Sequence, residues 1–146
     1  MHTAREPGNY WPWAIVAGAA LVFAAYSAGV LGEEIKVVLS GNQEIPPVTT
    51  SGSGTGTFNI APDLSIRGSV TVAGMTPTVA HIHEAPPGKS GPIVIPLVQT
   101  ADNAWSVPAG AKLTDAQFES YKAGNLYYSV HSAAYKGGEI RGQIKP

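Results

Sequence analysis

The sequence predicts an all-β protein, an antiparallel Greek-key β-sandwich or barrel with one short helix, carried behind one N-terminal transmembrane helix. Period-two alternation of apolar and polar residues recurs in short runs after residue 34. The chain holds 17 Gly and 12 Pro, which suits short strands joined by many turns. Near the N-terminus, residues 11–31 carry no charge.

Residues 11–31 read WPWAIVAGAALVFAAYSAGVL. A helix of that length, at ~1.5 Å per residue, covers the ~30 Å hydrocarbon core of a bilayer. Tyr10, Trp11 and Trp13 cluster at its start, where aromatic rings favour the headgroup region, and Pro12 falls in the first turn. Arg5 precedes the span, so residues 1–10 are expected as a cytoplasmic tail and residues 35–146 as an extracytoplasmic domain. The rival reading is a cleaved signal peptide, with an apolar region over 14–26 and small residues near 27–29. The apolar run is long for that role and its leading segment has a single basic residue. A retained anchor in the lipid bilayer is therefore expected. Gly18, Gly29 and several alanines would let it approach other membrane-protein subunits closely.

The strands follow in order. Ile35, Val37 and Leu39 share one face of the first. Gly56, Phe58 and Ile60 alternate with Thr55, Thr57 and Asn59 in the second, and the Gly/Ser/Thr run over 49–56 reads as a loop between the two. Ile66, Gly68, Val70 and Val72 alternate with Ser65, Arg67, Ser69 and Thr71, the cleanest half-buried pattern in the chain. Residues 79–84 and 93–98 are further strands, with Pro96 marking an edge or a bulge. Leu126, Tyr128 and Val130 alternate with Tyr127, Ser129 and His131; Ile140, Gly142 and Ile144 alternate with Glu139, Arg141 and Gln143. Seven or eight short strands result. One helix is expected from Thr114 and Gln117 in capping-box spacing, the Phe118/Tyr121 pair and Gly124 as a stop.

Several functions are excluded by composition. Cysteine is absent, which removes disulfides, thiolate zinc sites and thiol catalysis. From Ile35 onward Lys/Arg and Asp/Glu nearly balance and no basic stripe appears, so nucleic acid is not an expected partner. The acidic residues are scattered, and no G-x-S-x-G elbow or phosphate loop occurs. No catalytic residue is assigned.

The histidines carry the remaining chemistry. His81 and His83 form an H-x-H on a strand, which places both side chains on one face about 6.5–7 Å apart at Cα. His131 lies on the polar side of a different strand. If the two strands are neighbours, three imidazoles meet, a donor set suited to copper or zinc. Glu84, Met75, a tyrosine or water would complete the shell. The alternative is that the three histidines cap turns or bond loop carbonyls.

Three segments, LSGNQEIPPVTTSGSGTGTFNI, AHIHEAPPGKSGPIVIPL and GNLYYSVHSAAYKGGEIRGQI, together resemble the CHRD (chordin-type) domain over nearly all of 35–146. The resemblance implies an antiparallel β-sandwich or barrel and does not include the transmembrane segment. The H-x-H strand and the late V-H strand also look like the copper strands of Cu,Zn superoxide dismutase. This implies copper-type positions at His81, His83 and His131, with copper as the candidate cofactor. No further histidine of the domain remains to bridge a zinc ion, which speaks against a superoxide-processing enzyme. The family's abundance in bacterial exported proteins implies a bacterial inner (cytoplasmic) membrane location, single-pass, with the domain in the periplasm.

Two functions are expected. The first is a non-enzymatic accessory or structural subunit that docks on the extracytoplasmic face of a larger membrane complex, respiratory or photosynthetic. Its motive is the short junction between span and domain. The second is a periplasmic copper-binding protein that uses the histidine triad for metal handling or electron transfer.

Overall fold

The computed structural model describes residues 32–146, which form nine strands and one α-helix: β1 Ile35–Ser40, β2 Ser53–Ile60, β3 Ile66–Ala73, β4 Pro77–Glu84, β5 Ile93–Pro96, β6 Val98–Ala101, β7 Ala104–Ser106, α1 Asp115–Lys122, β8 Leu126–Ser132 and β9 Ile140–Ile144. The expected span at 11–31 lies outside the described residues. Among the described residues, no helix is long and apolar enough to cross a membrane.

All nine strands join one sheet in the order β5-β4-β8-β9-β1-β2-β3-β7-β6, and every pair is antiparallel. The two edge strands, β5 and β6, are separated in sequence by Leu97 alone. Leu97 N–H donates to the Ala80 carbonyl of β4 at 3.0 Å. One residue therefore bridges the two edges, and the sheet curls into a nearly closed barrel. Curling brings the two ends of the nine-stranded sheet together at Leu97. The expected single strand over 93–98 is thus two strands. Pro96 has no N–H to continue the ladder, and the chain turns there to the other edge.

Apolar residues of the alternating runs fill the barrel: Val37, Leu39, Phe58, Val70, Ile82 and Val130 are all nearly inaccessible. Tyr128 crosses the interior from β8, and its hydroxyl donates to the Thr57 carbonyl of β2 at 2.7 Å. Gly68 makes room for that hydroxyl, because a Cβ there would collide with it. Burial pushes the Tyr128 phenol far above the usual tyrosine range, so it stays a donor.

α1 forms as its termini dictate. Thr114 Oγ1 accepts from Gln117 N–H at 3.1 Å, and Gln117 Oε1 accepts from Thr114 N–H at 2.9 Å. Gly124 ends it with φ of 78°. Tyr121 packs on Phe58 with ring centroids 5.2 Å apart, closing one end of the barrel. The short β7 has one alternation and no periodic signal in the sequence, yet it buries Trp105 opposite Val70 of β3.

The outer side of β8 and β9 departs from the half-buried expectation: every residue of both strands is buried. Segment 41–50, residues 85–91 and the 133–138 turn fold over that face, shown by their bonds to Arg141, Gln143, Glu139 and His131.

Candidate metal centre

The barrel wall brings the three histidines together because β4 and β8 pair antiparallel. Their register sets Val79 opposite His131, His81 opposite Ser129 and His83 opposite Tyr127. All six residues face outward, since the alternate positions Ala80, Ile82, Tyr128 and Val130 fill the barrel. Ring centroids lie 5.4 Å apart for His81–His83, 5.0 Å for His81–His131 and 6.0 Å for His83–His131. One ring nitrogen from each falls within 4.8 Å of the other two.

Backbone carbonyls select the tautomers. His83 Nδ1 lies 2.9 Å from the Gly91 oxygen, and His131 Nδ1 lies 2.8 Å from the Lys136 oxygen. A carbonyl only accepts, so each Nδ1 carries the proton and each Nε2 keeps a free lone pair. His131 Nε2 lies 3.4 Å from His81 Nδ1 and 3.3 Å from Ser129 Oγ, either of which can donate to it. His83 Nε2 is buried and, among the described residues, has no hydrogen-bond partner. A bare buried acceptor costs about 1–3 kcal/mol. An ion held by the cluster would repay that cost.

The spacing approaches that of a bound cation, with all three ring nitrogens within 4.8 Å of one another. Nitrogens bound at ~2.0 Å around one ion sit about 3.5 Å apart or less, and the His81–His131 pair is already at 3.4 Å. Protonation is also suppressed. Burial, then repulsion from His131 and His83, lowers His81 below the usual histidine range. Burial is the main cause of the same shift at His83, opposed by the Gly91 carbonyl and reinforced by His131 and Arg141. The neutral imidazole is the form that binds metal.

Residues that sequence reasoning did not select surround the triad. Tyr127 stacks on His83 with ring centroids 5.0 Å apart and an interplanar angle of 11°. The guanidinium of Arg141 lies 3.5 Å over the other ring system, that of Tyr127. Glu44 Oε1, 3.5 Å from Ser129 Oγ, is the alternative acceptor for the single proton of that hydroxyl. Burial raises the Glu44 carboxyl above its usual range, and the positive charge of Arg141 partly offsets this. Alternation had placed Tyr127, Ser129 and Arg141 on polar sides, but no local pattern tells which strands are neighbours. Glu84 does not join the cluster, and Met75 packs against the apolar core.

These features define a class: an antiparallel β-barrel protein with a preformed three-imidazole cluster on its outer wall. The family model for the CHRD domain matches residues 35–144, and the chain belongs to that family. No curated protein and no solved structure matches it.

Proposed function

We propose that this protein binds one transition-metal ion through His81, His83 and His131 and serves in metal handling or electron transfer rather than catalysis. The observation that carries this reading is the partnerless, buried Nε2 of His83, on a ring that stands beside two further imidazoles. Copper is the first candidate, because divalent copper heads the affinity order for a nitrogen site. When bound, copper supplies one-electron chemistry. The protein's own part is to hold three imidazole donors together, fix two tautomers through Gly91 and Lys136, and keep one side of the site dry.

The test is metal analysis of the full chain, purified in mild detergent, with copper(I), copper(II) and zinc(II) titrations followed by thermal unfolding. A saturating ion at 100 times its Kd should add about 2.7 kcal/mol. A His81→Ala/His83→Ala variant should lose both uptake and stabilisation. Wild-type protein that takes up none of the three ions at micromolar concentration overturns the reading.

A second reading concerns where the site is held. Gly32 N–H donates to the Ile60 carbonyl at 3.0 Å, and Asn59 Nδ2 donates to the Gly32 carbonyl at 3.2 Å. The fold is thus gripped one residue beyond segment 11–31, which supports a domain seated against the bacterial inner membrane on its periplasmic side. So held, it would act as an accessory subunit of a larger membrane complex. Stoichiometric co-purification of other membrane subunits in gentle detergent is the expected result. A monodisperse single chain at every detergent tested counts against it.

A further inference from the structure

Arg141 poses a physical problem. It is 2 % exposed, and its side chain makes no ion pair among the described residues. The Glu44 carboxyl favours this charge without pairing with it, so neutral acceptors and packing must carry most of the compensation for its burial. Burial accordingly lowers its proton affinity. Its three hydrogen bonds go to neutral oxygens: Nη1 to Lys89 O at 2.7 Å, Nη2 to Pro86 O at 3.2 Å and Nη2 to Gln143 Oε1 at 3.1 Å.

Two of those oxygens belong to residues 85–91, which connect β4 to β5. The same segment is tied down at both ends. Gln143 Nε2 donates to the Ala85 carbonyl at 2.8 Å, and Gly91 N–H donates to the Tyr127 hydroxyl at 3.1 Å. Gly91 in turn offers the carbonyl that takes the Nδ1 proton of His83. Only glycine fits there, since a Cβ would run into the Glu84 carbonyl oxygen. Arg141 therefore reaches His83 by two routes: through the strap it clamps, and through the Tyr127 ring sandwiched between them.

We propose that Arg141 is a positioning residue for the histidine cluster: it clamps the 85–91 strap so that the Gly91 carbonyl fixes the His83 tautomer and presents Nε2 to a metal ion. The proposal deepens the metal-binding reading and names the part of the chain that governs the site. His131 is set independently, by Lys136, which makes it an internal control.

The experiment is long-range 1H–15N NMR of the full chain in detergent micelles, labelled on histidine and free of metal. In the wild-type protein His83 and His131 both show the Nδ1–H form. Arg141→Met is expected to bring His83 into a mixture with the Nε2–H form, leave His131 unchanged and weaken zinc(II) or copper(I) binding about 10- to 100-fold. Arg141→Lys, which keeps one donor but not the planar fork, should recover part of both. Tyr127→Phe removes the hydroxyl that holds Gly91 and should act in the same direction more weakly, which keeps the test open if Arg141→Met does not fold. Val70→Ala, a buried change away from the strap, should lower Tm and move neither tautomer. Retention of the His83 Nδ1–H form and of unaltered affinity in Tyr127→Phe and any folded Arg141 variant overturns the proposal. If wild type binds no metal the functional reading fails, yet the tautomer spectra still decide the role of Arg141.

Discussion

The outer wall of the barrel differs sharply between its two halves. On β1, β2 and β3 the outward residues Val38, Thr55 and Thr71 stand in solvent, Val38 at 69 % exposure. On β8 and β9 the outward residues Tyr127, Ser129, His131, Arg141 and Gln143, with Glu139 just ahead of β9, are as inaccessible as a core. Both halves obey the same alternation, and both line the same interior. The difference lies in the connections. The turns at 61–65 and 74–76 are short and leave the β2–β3 side open, whereas 41–52 and 85–92 are long enough to fold back over the sheet. Loop length converts a polar strand face into a second, polar core. Within such a core His81 and His83 lose water on one side, which disfavours their charged forms.

Substitution should expose this contrast. The largest effect is expected for His83→Ala/His131→Ala, which removes two of three donors and should abolish metal uptake in a titration. Thr55→Ala/Thr71→Ala on the open half should leave uptake unchanged. Stability comes next. Glu139 accepts from Ser132 Oγ at 2.7 Å and from Thr50 Oγ1 at 2.8 Å, so it ties the covering loop to β8. Glu139→Ala strands both hydroxyls and should cost about 1–3 kcal/mol in urea unfolding, against about 0.5 kcal/mol or less for Thr55→Ala. Equal costs at the two sites would break the comparison. Tyr128→Phe, which deletes one neutral bond inside the barrel, should cost about 1 kcal/mol.

The smallest effect expected is a pH slope in the metal-free protein. His81 and His83 titrate below the ordinary 6.5 when folded, so the unfolded chain takes up more protons than the folded one as pH falls past that value. Stability should drop as pH is lowered from about 7.5 to 5.5. His81→Gln/His83→Gln should flatten the slope. Glu44 works in the opposite sense: burial raises it above 4.5, so its contribution to stability falls as pH rises through that range. Glu44→Gln should therefore steepen the acid loss, and a slope unaltered by either variant would falsify the assignment of these groups.

Much of the fold was legible residue by residue. The alternations at Ile66–Ala73 and Leu126–Ser132 named their inward residues correctly, and Thr114, Gln117 and Gly124 marked the helix, because periodicity and capping are local. β7 was not legible, since three residues make no period. The break at Pro96 was visible as an irregularity, but the route of the chain to the opposite edge was not. His81, His83 and His131 were legible as candidates. The outer residues around them were not, because Arg141 meets Lys89 and Tyr127 meets His83 only after separate strands and a loop converge.

By itself, the sequence determined the β class, the inward faces, the helix and three histidines on polar strand faces, all consequences of backbone period and of which side chains leave water. It also determined the family, through motifs spread along the chain. The tertiary structure alone decided that β4 lies beside β8, that two carbonyls hold the protons of His83 and His131, and that loops bury the polar face. Those outcomes depend on which distant segments pack together, and a short-range pattern carries no information about its partner across the sheet.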